Sequence, residues 1–155
     1  MLRGIYKAKT SKNVVIYPLL RLPRLEDDFY WLQQISPSKN FLFKHHSRND
    51  IKISLLHEAK NYNIGVIRGS SLADTLKENG FENVFEVTNG IQNVLKLTKN
   101  RIDLLASDEL MLDHLIDIYN KEKPDNKLDM REFVKVSYIP TYNDKMYIAM
   151  GKNSV

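Results

Sequence analysis

The sequence of 155 residues is 43% hydrophobic and 10% aromatic, with a formal net charge of +4 and no cysteine. That composition excludes a disordered chain, and the missing cysteine excludes a disulfide framework, a thiolate nucleophile and any Cys-based zinc or iron–sulfur centre. No run of about 18 apolar residues occurs and no charged–apolar–small leader opens the sequence, so neither a transmembrane helix nor a secretion signal is expected within it.

Residues 2 to 9 read as the end of a helix, and Asn13 to Leu20 (NVVIYPLL) as a strand with Pro18 near its end or at a sheet edge. RLPRLEDD then reads as a turn or short helix start, with the aromatic pair Tyr30-Trp31 as a stacking platform or part of a core. Phe41 to Lys44 is a short strand, and Ser54 stands before Leu55, Leu56 and Ala59 as the start of a helix of about two turns.

From Ile64 the pattern becomes regular. Ile64 to Ile67 is a strand, Arg68-Gly69-Ser70-Ser71 breaks it, and a helix starts at Ser71, three residues before Asp74 in a short capping box. Gly80 stands where a helix end favours a left-handed residue. Val84 to Val87 is the next strand, and Ile91, Val94, Leu95 and Thr98 mark a helix at the i, i+3, i+4, i+7 spacing. Ile102 to Ala106 is a strand, Leu112, Leu115, Ile116 and Tyr119 mark the longest helix, and KEKPDNK is a polar break. Phe133 to Ile139 and Lys145 to Met150 are the last strands. Strands alternating with helices predict an α/β fold, its mostly parallel sheet covered by helices on both faces.

Ligands of such sheets sit beyond the carboxyl ends of the strands, and two stretches qualify. Gly69-Ser70-Ser71 opens a helix whose unpaired N–H groups and positive dipole end suit an anion. Asp108 follows the strand RIDLLA, where it either caps the next helix or presents a carboxylate to a ligand. Together the two suit a zwitterion.

Other chemistries find less support. His45-His46 are neighbours that a strand would turn to opposite faces, and His57 and His114 lack a second ligand at i+4, so no metal site is expected. No GxSxG, HExxH, Walker or GxGxxG spacing occurs, and Asp108-Glu109 are separated by about 100° on a helix, so no catalytic set and no cofactor are expected. Nine Lys/Arg against four Asp/Glu in residues 1–50 make the first third basic, but the charges are scattered singly and nucleic-acid binding is not expected.

The segments YPLLRLPRLEDDFYWLQQI, DIKISLLHEAKNYNIGVIRGSSLADTL and NGIQNVLKLTKNRIDLLASDELML, in that order, resemble the bacterial extracellular solute-binding protein family 3, the periplasmic amino-acid-binding type. The resemblance implies a two-lobed α/β clamp of the type II periplasmic-binding kind. It would hold a small polar solute, an amino acid, in the cleft between lobes and deliver it to an ABC permease, from a periplasmic location and without catalysis. It places a partial first lobe and first crossing strand at residues 1–46, the second lobe at 47–146 and the second crossing at 147–155. Gly69, Ser70 and Ser71 match the segment that receives the ligand's carboxylate, and Asp108 the residue that pairs with its ammonium. Where the family carries Thr-Pro-x-Arg, this sequence has Leu22-Pro23-Arg24-Leu25, so Arg24 or Arg21 stands in for the carboxylate-clamping arginine. The family's opening third and closing helices have no counterpart, which leaves the first lobe with two or three strands. That predicts either a fragment of a longer protein or completion by a second copy through exchange of a segment. The same clamp also serves as the ligand-sensing or protein-interaction domain of signalling proteins, the alternative reading.

Overall fold

The computed structural model describes residues 2–37, 39–141 and 145–154. In chain order the elements are α1 (Leu2–Thr10), β1 (Val15–Leu20), β2 (Phe29–Pro37), β3 (Asn40–His45), β4 (Ile64–Ile67), α2 (Ser71–Glu78), β5 (Val84–Val87), α3 (Gly90–Thr98), β6 (Leu104–Asp108), α4 (Glu109–Glu122), β7 (Phe133–Ile139) and β8 (Lys145–Gly151). Short 3-10 turns lie at Pro23–Leu25, Leu56–Asn61, Met130–Glu132 and Lys152–Ser154. The chain divides into two compact units, residues 1–38 with 140–155, and residues 39–139.

In the first unit three antiparallel strands run in the order β1-β8-β2. Its core joins Ala8 of α1 to Leu19, Leu25, Phe29 and Ala149. Pro18 lies on the edge strand β1, where its missing N–H costs no ladder bond, and the register slips between Ile16 and Leu19 around it. The sequence pattern predicts no strand at β2: it gives a turn or short helix start over residues 21–28, where the 3-10 turn Pro23–Leu25 lies, and an aromatic pair at Tyr30-Trp31. The β2 sequence FYWLQQISP lacks period-two alternation, Leu32 and Ile35 are exposed, and its pairing with β8 is irregular at two places.

The second unit is a five-stranded sheet in the order β5-β4-β6-β3-β7. β4 is parallel to β5 and β6, while β3 runs antiparallel to both β6 and β7, so four of the five strands share a direction. The sheet is covered on both faces, as expected for a mostly parallel α/β fold. Leu42, Ile64, Val66, Leu104 and Ala106 pack with Ala73 and Leu76 of α2 in one cluster. Phe43 and Leu105 pack with Val94 and Leu97 of α3 and Leu112 and Ile116 of α4 in the other. The neighbours Leu42 and Phe43, like Leu104 and Leu105, thus serve opposite faces, the alternation that a pleated strand imposes.

Two local differences have identifiable causes. The helix expected from Ser54 is a 3-10 segment, Leu56–Asn61, because its backbone bonds close three residues apart, Glu58 N–H donating to Leu55 C=O at 3.1 Å and Tyr62 N–H to Ala59 C=O at 3.0 Å, while the Glu58 carboxylate accepts the N–H groups of both Ser54 and Leu55 at 2.9 Å. The bonds to the carboxylate hold the Glu58 carboxyl below its ordinary range. The strand expected at 102–106 starts later and ends at Asp108, since Asp103 is engaged beforehand by Asn63 N–H at 2.9 Å and Arg48 at 2.9 Å.

Candidate functional site

Parallel β4, β5 and β6 each hand the chain to a helix at their carboxyl ends, so α2, α3 and α4 all begin at one sheet edge. Three side chains cap them. Ser70 Oγ accepts Ala73 N–H at 3.2 Å, Asn89 Oδ1 accepts Ile91 N–H at 3.3 Å, and Asp108 Oδ1 accepts Met111 N–H at 2.8 Å. The cap of α2 is therefore Ser70, one residue before the residue expected from the Ser71–Asp74 spacing.

The turn from β4 into α2 depends on Gly69, whose φ of 66° lies in the left-handed region. Arg68 N–H donates to Val87 C=O at 2.8 Å and Ser70 N–H to Ile67 C=O at 3.2 Å, which brings the first turn of α2 over the β4 end. The Glu86 carboxylate of β5 lies beside this turn. Its contact with the Lys77 ammonium, then the Gly69 N–H and the nearby Arg68 charge, hold its carboxyl below the usual carboxylate range. The Gly69 N–H thus faces a carboxylate of its own protein. The Ser71 hydroxyl and the N–H groups of Ser71 and Leu72 have no partner among the described residues.

Asp108 stands one strand away, since β4 and β6 are adjacent and Gly65 is level with Leu105. Capping uses one carboxylate oxygen, and the other has no hydrogen bond among the described residues. The edge is braced from behind, where fully buried Asn93 of α3 donates to Val66 C=O at 3.0 Å. Glu109, the neighbouring carboxylate, is instead paired with Lys135 at 2.7 Å. Gly69, Ser70, Ser71 and Asp108 therefore share one edge of the five-stranded unit.

Arg21 and Arg24 belong to the first unit. Arg21 Nε donates to Glu26 Oε2 at 2.9 Å, and the guanidinium lies 5.5 Å from the Trp31 ring centre and 5.7 Å from that of Tyr147. The Glu26 carboxylate raises the guanidinium's pKa and is itself held low by it. Arg24 is exposed in the short turn Pro23–Leu25. The histidine pair departs from expectation. β3 ends at His45, so His46 lies in a turn and the two rings come within 4.6 Å of each other instead of facing apart. Sequence spacing gave no sign of this, because Glu132, which completes the cluster, is distant in the chain.

No protein-family model matches the sequence. No curated protein matches it either. Solved structures do. An amino acid ABC transporter substrate-binding protein from Streptococcus pneumoniae, bound to L-arginine, is 18% identical with a TM-score of 0.72, covering 98% of this chain and 60% of that one. The periplasmic sensor of the Borrelia burgdorferi hybrid histidine kinase Hk1 is 20% identical with a TM-score of 0.63, covering 96% and 65%. The periplasmic VFT2 domain of Bordetella pertussis BvgS is 10% identical with a TM-score of 0.70, covering 97% and 60%. Among the described residues no helix is long and apolar enough to cross a membrane. The chain shares the periplasmic-binding-protein-like fold of these three structures and spans 60–65% of their length.

Proposed function

We propose that the chain binds a small polar solute, an amino acid, at the carboxyl edge of its five-stranded sheet, for delivery to an ABC permease from the periplasmic side of the membrane. The observation that carries this reading is the pairing on one edge of unclaimed donors at the start of α2 with the uncommitted oxygen of Asp108. The N–H groups of Ser71 and Leu72 and the Ser71 hydroxyl would take the carboxylate, aided by the helix dipole. Asp108 would take the ammonium through the oxygen that capping leaves over, a charge-assisted contact. This is a binding role without chemistry, since Glu109 is held by Lys135 and leaves Asp108 without a paired acid or base at the edge.

Calorimetry against a panel of amino acids tests the reading. Asp108→Asn keeps an oxygen for the α4 cap and removes the charge, so it should weaken binding about tenfold or more while leaving the fold unchanged. An Asp108→Asn variant that binds the same amino acid as tightly as wild type would refute the ammonium role. Arg21→Ala and Arg24→Ala, tested separately, decide whether either arginine contributes to carboxylate affinity.

A second reading, ligand sensing within a signalling protein, is supported by the likeness to the Hk1 and BvgS sensor domains. Neighbouring reading frames discriminate between the two. A permease and its ATPase favour transport, and a continuous frame into a kinase favours sensing.

A further inference from the structure

We infer that His45, His46 and Glu132 form a binding site for a divalent transition-metal ion of the zinc type, at the opposite end of the sheet from the proposed solute site. Asn40 is level with Asp108 at the carboxyl edge, and His45 ends the same strand five residues later, about 17 Å away at the usual strand rise. The two sites are therefore separate, and either can fail without the other.

Three features bring the ligands together. β3 stops at His45, which frees His46 from strand alternation, and the ring centres sit 4.6 Å apart. His45 is level with Phe133 of β7, so Glu132, one residue before it, falls beside the His45 ring. His46 N–H donates to Glu132 C=O at 2.7 Å and ties the two segments. One ligand atom from each of the three residues lies within 4.8 Å of the others.

The spacing suits a tetrahedral ion. Two donors each about 2.0–2.2 Å from zinc lie about 3.4 Å apart in tetrahedral geometry. His45 Nε2 and Glu132 Oε2 are 3.3 Å apart, so that edge is already in place. Both groups are also held from behind. Ser47 Oγ lies 2.7 Å from His45 Nδ1, and Asp129 N–H donates to the other Glu132 oxygen at 2.9 Å. The His45 ring packs against Phe133 with its side chain only 11% exposed. Ion binding at Nε2 requires the ring proton on Nδ1, where it donates to Ser47 Oγ, and the long 3.4 Å contact from Ser47 N–H to Nδ1 is given up. The exposed His46 closes onto the ion as third ligand, and a water or a polar group of another molecule takes the fourth position. Two imidazoles with one carboxylate select a borderline ion over magnesium or calcium, which take oxygen ligands, and over copper(I), which favours sulfur.

The test is titration of the untagged full chain with zinc ion by calorimetry and with cobalt(II) by absorption. One ion per chain is expected, with visible cobalt bands of a four-coordinate nitrogen–oxygen site. His46→Ala, on an exposed side chain, and Glu132→Gln, which keeps an acceptor for Asp129 N–H, should each weaken affinity about tenfold or more with unchanged circular dichroism. His114→Ala, outside the cluster, should bind as wild type. No stoichiometric zinc binding, or His46→Ala binding as tightly as wild type, overturns the site. Amino-acid calorimetry on His46→Ala should match wild type, which keeps this result apart from the solute reading on which the site does not depend.

Discussion

Gly65 in β4 is the position where one added methyl group should most directly disturb the strand that carries Gly69, Ser70 and Ser71. A Cβ there would lie 2.7 Å from Asn93 Cγ, 2.8 Å from Asn93 Oδ1 and 2.7 Å from Ile102 Cδ1. Favourable carbon contacts need about 3.5–4.0 Å, so the shortfall is on the order of 1 Å on two sides. Ile102 meets the methyl with the free end of its side chain, but Asn93 is fully buried and tethered to Val66 C=O at 3.0 Å. Overpacking of this kind costs about 1–3 kcal/mol, and Gly→Ala recovers about 0.4–1 kcal/mol by restricting the unfolded chain. Because Asn93 cannot yield without losing its bond, the upper part of that range applies, and Gly65→Ala should destabilise the unit by about 2 kcal/mol. The sole tryptophan, Trp31, belongs to the other unit, so the readout is amide hydrogen exchange of β4 and β6. Asn93→Ala makes room for the methyl, so the double variant Gly65→Ala/Asn93→Ala should be more stable than the sum of the singles by about 1 kcal/mol. Wild-type protection in Gly65→Ala, or strict additivity in the double variant, would refute the reasoning.

Gly151 in β8 poses a harsher case in the first unit, since a Cβ would lie 2.2 Å from the Ala8 carbonyl oxygen and 3.0 Å from Lys9 Cα, both backbone of α1. No side chain can swing aside, so Gly151→Ala should displace α1 and cost about 3 kcal/mol or more. Unfolding followed by Trp31 fluorescence should move to lower urea, and an unchanged midpoint would contradict the contact. The Asp129 carboxyl, bonded by the Arg131 guanidinium and N–H, is lowered from 3.8 to about 2. Its folded value lies below its unfolded one, so its contribution is present above about pH 4 and is lost as pH falls toward about 2. A carbon-detected NMR titration should give a midpoint near 2, and Arg131→Ala should move it back toward 3.8.

Much of the second unit was legible because its signals are local. The apolar runs at Ile64–Ile67 and Val84–Val87 became strands with those bounds, and the apolar spacing from Ile91 became α3. Gly80 is left-handed at φ 76°, as the end of α2 requires. β2 was illegible because both of its faces carry apolar side chains, and only pairing with β8 makes it a strand. Asp108 read from sequence as either a cap or a ligand residue. The structure shows that it caps α4 with one oxygen while keeping another uncommitted, a distinction that side-chain identity alone cannot make.

Sequence by itself determined where the chain extends, coils and turns, because periodicity, caps and glycines act over a few residues. Strand order was decided in three dimensions, where β3 inserts antiparallel between β6 and β7 and brings His45 beside Glu132. The same sheet sets Ser71 and Asp108 on one edge. Such neighbours are created by closing long loops around a shared core, and the energy that selects them resides in the packed interior, not in either segment alone.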